Sequence, residues 1–161
     1  MTQGISLFSS TKFTIKATTY PERVNIHKLL QILANLLALL GVSAIVANKY
    51  RNNANHLVSY HAWFGLTAMI LILIQTFGGL RLLNEMPIIP YNSKIFHIAL
   101  GLCTYLAGMT TIYLAFYSNW VVHIINLKIV IIFKSATIVL VVLVVSNVIQ
   151  RMKKKSKPSQ N

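Results

Sequence analysis

The chain has 161 residues, enough for one domain, and 55% of them are apolar while only 11% are charged. That balance excludes a disordered segment, and the long unbroken apolar runs exclude an ordinary soluble core. Fifteen Lys and Arg against two acidic residues give a net charge of +13; because the basic residues cluster in tails and loops around the apolar runs, they read as topology signals and lipid-headgroup contacts, not as a nucleic-acid surface.

Residues 1–24 are polar, hydroxyl-rich and basic, with Lys12, Lys16 and Arg23. Their short run Ile5-Ser6-Leu7-Phe8 is too brief to span a bilayer, and the residues after Met1 lack the basic and apolar regions of a secretory signal peptide. Four spans follow, predicted over 27–48, 60–83, 94–117 and 124–150, each near the ~20 residues a bilayer needs. The connections are short: an Asn-rich 49–59, then 84–93 with Pro87 and Pro90, then 118–123. Short connections make successive helices antiparallel neighbours. The tail 151–161 is polar and strongly basic. The expected fold is an all-α membrane protein, with four transmembrane helices in an antiparallel bundle over 25–150.

Basic residues near helix ends set the orientation. Lys12, Lys16, Arg23, Lys28, Arg81, Lys94, Arg151, Lys153, Lys154, Lys155 and Lys157 share one side, against Lys49, Arg51 and Lys128 on the other. Both termini are therefore expected to be cytoplasmic. Trp63 and Trp120 then fall near the opposite interface, where indole rings prefer to sit. The composition does not distinguish endoplasmic reticulum, vesicle and plasma membrane.

Histidines stand in the first turn of three apolar runs: His27, His61 and His97. An ionisable ring at the mouth of a membrane helix is costly and marks a functional candidate. Alternating helix direction places His27 and His97 in the cytoplasmic leaflet and His61 in the other, with ~30 Å of hydrocarbon between the faces. Imidazoles in a low-dielectric bundle are common axial ligands of haem iron, so His27 and His97 can clamp one haem b between two helices. The rival reading makes each histidine a hydrogen-bonded interfacial residue.

Small residues share the face of each ring. Gly65 and Ala68 follow His61 at i+4 and i+7; Gly101, Thr104 and Gly108 follow His97 at i+4, i+7 and i+11. They leave room either for a flat macrocycle or for close helix packing. His56 and His123 read as loop histidines, or as contacts for an outer substrate. Asn35, Ser43, Gln75, Thr76 and Asn147 are expected to bond between helices. Lys134 lies inside the fourth span; it either snorkels to the headgroups or pairs with a propionate or substrate charge. Cys103, the one cysteine, reads as a small packing residue.

Other chemistry is weakly represented. The sequence has no phosphate loop, no metalloprotease HExxH, no Cys-based metal motif and no paired carboxylates, so no catalytic residue is singled out. Zinc at His27 and His97 would need further ligands.

Four segments carry a resemblance to a known family. They are His27-Lys28-Leu29-Leu30-Gln31, then His56-Leu57-Val58-Ser59-Tyr60-His61-Ala62-Trp63-Phe64-Gly65, then Gln75-Thr76-Phe77-Gly78-Gly79, then Phe96-His97-Ile98-Ala99-Leu100-Gly101-Leu102. In these contexts, over about 7–155, the chain resembles the cytochrome b561 family. The resemblance implies a six-helix membrane architecture with two haems b, one near each face. It implies electron transfer across the membrane from cytoplasmic ascorbate to ferric iron or monodehydroascorbate. By the same resemblance His27 and His97 ligate the cytoplasmic haem iron and His61 is one ligand of the other. The partner of His61 would come from an earlier helix, whose cytoplasmic end 1–10 is similar to. The chain is then expected to begin two helices into that architecture, as a fragment, a shortened isoform, a misassigned gene start or a form completed by another chain.

Several further expectations follow from this likeness. Lys28, Arg81 and Lys94 attract an anionic reductant, or serve only as positive-inside charge, and His56 is a weak candidate for substrate contact. An exposed groove left by two absent helices favours homo- or hetero-oligomers. The competing functions are a non-catalytic short isoform and a non-haem multi-pass protein such as a small transporter or assembly factor.

Overall fold

The computed structural model describes residues 19–84 and 90–156. Lys12, Lys16, Glu85, Pro87 and Lys157, and the side chains of Trp120, Arg151, Lys153, Lys154 and Lys155, lie outside the described residues, with the expectations placed on them. The elements are α1 (Tyr20–Arg51), α2 (Tyr60–Asn84), α3 (Tyr91–Ala115), α4 (Asn119–Ile124) and α5 (Leu127–Ser156). No strand occurs among the described residues. Helices α1, α2, α3 and α5 are long and apolar enough to cross a membrane.

Local chemistry explains where the helices start. α1 begins at Tyr20, ahead of the apolar run at His27, because Thr19 and Glu22 form a capping box. The Glu22 N–H donates to Thr19 Oγ1 at 3.5 Å, the Thr19 N–H donates to the Glu22 carboxylate at 3.0 Å, and Pro21 supplies a preset φ in the first turn. His27 thus sits about two turns inside α1 rather than at its mouth. The turn after α1 places Asn53 and Leu57 at φ 48° and 55°. Asn tolerates that region, whereas Leu pays roughly 1–2 kcal/mol for it. Ser59 then opens α2 by accepting the Ala62 N–H at 3.2 Å, with His61 in the first turn.

The fourth apolar run forms one helix from Leu127, three residues into the predicted span, and the predicted connection 118–123 holds the short α4. Ser118 Oγ accepts the Val121 N–H at 3.4 Å and starts the short α4; Ile125 is extended; Asn126 Oδ1 accepts the Lys128 N–H at 2.9 Å and starts α5. The two polar caps set where each of these helices begins.

α2 and α3 pack as antiparallel neighbours. Gln75 meets His97 near the start of α3, and His61 meets Thr111 near its end. Positions 61 to 75 and 97 to 111 span equal intervals, about 21 Å of helix rise, so the two helices run in register. α5 lies against α3 around buried Tyr105, Met109 and Val144. The buried Thr104 and Thr137 hydroxyls donate to the carbonyls of Leu100 and Phe133 in their own helices, which satisfies them inside an apolar bundle. α1 buries no residue; the Asn35 amide ties it to α2 by donating to Thr76 Oγ1 at 2.7 Å. Leucine and isoleucine side chains on α1, α2 and α5 point outward, the arrangement a bilayer rewards.

Lys134 is half-buried on α5, and its ammonium lies 3.6 Å from the ring centre of Tyr117 and 6.0 Å from that of Tyr113. The two tyrosine hydroxyls are 3.2 Å apart, and Phe116 stacks on Phe133 at 6.3 Å. The lysine therefore pins α5 to the end of α3 through ring faces. Lys134→Met is expected to cost about 0.5–2 kcal/mol. Thermal unfolding in detergent should show a lower midpoint for it and a near-native one for Lys134→Arg.

Candidate functional site

His97 projects from α3 against α2, where two glycines make room. A Cβ at residue 79 would stand 3.2 Å from His97 Cε1, so the ring lies directly on the α2 backbone. A Cβ at residue 101 would stand 2.9 Å from Gln75 Nε2, closer than real Cβ atoms approach. Gly101 is thus the seat of the Gln75 side chain. From that seat the Gln75 amide reaches the His97 carbonyl at 2.9 Å and His97 Nε2 at 3.3 Å. Gln75 Oε1 is buried without a hydrogen-bond partner among the described residues.

His27 on α1 lies within electrostatic reach of His97. Both rings are half-buried. Beside them a cleft of about 550 Å³ opens between α2 and the start of α3, with Gln75, Gly78, Arg81, Phe96, His97 and Leu100 among its walls. Its size falls within the ~300–1,000 Å³ of small-molecule and cofactor sites. A Cβ at residue 78 would meet no atom within 4 Å, so the α2 backbone faces open space there.

His61 stands apart. Its Nδ1 lies 2.9 Å from the Thr111 carbonyl, at the far end of the α2–α3 pair. A carbonyl only accepts, so Nδ1 carries the proton and Nε2 keeps its lone pair. Gly65, one turn on, faces Thr111, and a Cβ there would make an ordinary contact with Thr111 Cγ2 at 3.4 Å. Of the glycines at i+4 from His61 and His97, Gly101 thus meets the facing helix tightly and Gly65 only in ordinary contact.

Arg81 lines the cleft and, like Lys28 and Lys94, is exposed. His56 is exposed in the turn before α2, at the His61 end, and His123 is exposed on α4. Sequence reasoning gave Gln75 only a general bonding role and gave Gly79 none. The signal for both was present in Gln75-Thr76-Phe77-Gly78-Gly79, where an amide and a glycine at i+4 share one face. Among the described residues no group of three or more His, Cys, Asp or Glu side chains gathers as a metal cage. The donor set is therefore imidazoles from separate helices beside a cleft. The open backbone at Gly78 and the unpartnered Gln75 oxygen fit a planar group bound between them.

The sequence profile of the family described as Eukaryotic cytochrome b561 matches residues 1–123, which contain His27, His61 and His97 and stop ahead of α5. The Mus musculus protein named Transmembrane reductase CYB561D2 is 32% identical over 123 residues, covering 74% of this chain and 55% of that protein. The Mus musculus Probable transmembrane reductase CYB561D1 is 33% identical over 123 residues, covering 74% of this chain and 54% of its own length. The Homo sapiens Transmembrane reductase CYB561D2 is 32% identical over the same length, with 74% and 55% covered. The chain spans about half the length of these curated relatives. No solved structure matches it.

Proposed function

Because the chain belongs to the eukaryotic cytochrome b561 family, we propose that it is a haem b electron-transfer protein, with His27 and His97 as the axial ligands of one haem. The observation that carries this reading is the approach of His27 on α1 to His97 on α3, beside the cleft and away from His61. When bound, haem b supplies a one-electron ferric/ferrous couple. Two imidazoles leave no open iron position, which suits electron transfer and disfavours oxygen chemistry.

In this reading both termini are cytoplasmic and the His27–His97 end faces the cytoplasm. Ascorbate is the donor, drawn by Arg81 in the cleft and by Lys28 and Lys94 at the rim. Ferric iron or monodehydroascorbate is the acceptor at the opposite end, near His61 and the exposed His56. His61 holds a second haem with a ligand from beyond the described residues or from another chain, in a homo- or hetero-oligomer. Arg81→Ala is expected to slow reduction by ascorbate several-fold at low salt and much less at high salt, because steering is screened. Stopped-flow traces across a salt series check this.

The deciding experiment is a visible spectrum of the purified chain before and after dithionite, with its haem-to-protein ratio. A split α-band on reduction is expected. A colourless preparation favours the alternative, in which the bonds of His97 to Gln75 and of His61 to Thr111 are packing contacts in a non-haem membrane protein.

A further inference from the structure

We propose that Gln75 is a positioning residue that fixes the tautomer of His97 and holds its Nε2 lone pair ready for a metal. The metal half of this proposal rests on the haem reading above; the tautomer half does not.

One amide nitrogen serves two groups. Gln75 Nε2 is 2.9 Å from the His97 carbonyl oxygen and 3.3 Å from His97 Nε2. The carbonyl only accepts, so the nitrogen, not the oxygen, of the Gln75 amide must face it; the reverse placement sets two lone-pair oxygens against each other. One N–H goes to the carbonyl, which leaves the second directed at the ring. A ring nitrogen that faces an N–H must accept. His97 Nε2 is therefore unprotonated and Nδ1 carries the proton.

That is the form in which imidazole binds a metal through Nε2; the outer partner of a ligating histidine usually bonds the other ring nitrogen, whereas Gln75 caps Nε2 itself in the haem-free chain. His61 reaches the same form by another route, through the Nδ1 bond to the Thr111 carbonyl. Glycines admit the arrangement: Gly101 lies against the amide and Gly79 against the ring, where a Cβ would crowd either group. The cost is visible in Gln75 Oε1, buried with no partner among the described residues. An amide that serves only to join two helices has no reason to give up its acceptor. Metal ligation displaces the 3.3 Å contact and spares the 2.9 Å bond, which does not use the ring.

The test uses the full chain in nanodiscs, labelled with ¹⁵N-histidine and free of haem. The His97 signals are identified by their loss in His97→Ala. Wild type is expected to show an unprotonated Nε2. Gln75→Glu, which offers only acceptors when ionised, should move the proton to Nε2, and Gln75→Leu should give a mixture of tautomers. In parallel, haem titration should show about 10–100-fold weaker binding for Gln75→Glu. Protonated Nε2 in wild type overturns the proposal without need of any variant. So does an unchanged tautomer in both variants, or haem affinity in Gln75→Glu equal to wild type. A wild-type chain that shows the stated tautomer and takes up no haem overturns the haem reading, and with it the metal half, while the tautomer assignment stands.

Discussion

His97→Ala and His27→Ala, each in purified full chain, are expected to abolish the Soret band of the haem at that end. His61→Ala should leave that band in place. The asymmetry follows from position. His27 on α1 and His97 on α3 lie within electrostatic reach of each other, whereas His61 is held to Thr111 about 21 Å of helix away. A planar cofactor at one end cannot draw a ligand from the other. Removing either ring of the pair strips one axial bond and opens the site to water, so the two variants should fail alike rather than additively. Circular dichroism separates loss of the cofactor from loss of fold, since α1 buries no residue and His27→Ala removes no core contact. Equal haem content in His97→Ala and wild type removes the ligand assignment.

Much of this arrangement was legible in the sequence, for identifiable reasons. Apolar length alone marks four spans, because bilayer thickness fixes how long a helix must be. Alternating direction alone puts His27 and His97 at one end. The start of α1 was also written, as Thr19, Pro21 and Glu22, but a hydropathy reading looks past polar turns that extend a helix beyond the membrane. The connection 118–123 was legible too; only the short α4 within it and the start of α5 at Leu127 depend on the Ser118 and Asn126 caps. What spacing could not settle was the use of the small residues. His-x-x-x-Gly fits both a macrocycle and a tight helix pair. Only the register of α2 on α3 reveals that Gly101 seats Gln75 and Gly65 meets Thr111. Lys134 was ambiguous for a related reason, since Tyr113 and Tyr117 reach it only through the α3–α5 contact.

The adjacent glycines 78 and 79 should answer differently to the same substitution. Gly79→Leu places a branched side chain where even a Cβ lies 3.2 Å from the His97 ring. The ring cannot retreat without losing its contact with Gln75, so α2 and α3 must part. Overpacking of this kind costs about 1–3 kcal/mol, and haem binding falls with it. In Gly78→Leu the added Cβ meets nothing within 4 Å, and the residue lines the cleft. There the helix gains roughly 0.8–1 kcal/mol from replacing glycine, so the haem-free chain should unfold at the same or a higher temperature. The new side chain nevertheless fills the space a planar cofactor needs, and the haem-to-protein ratio should drop sharply. Gly108→Leu, also clear of neighbours and outside the cleft, should leave haem content unchanged. Stability and cofactor content thus move together at residue 79 and in opposite directions at residue 78. Full haem occupancy in Gly78→Leu would place the cofactor somewhere other than this cleft, because no fold defect is available to blur the result.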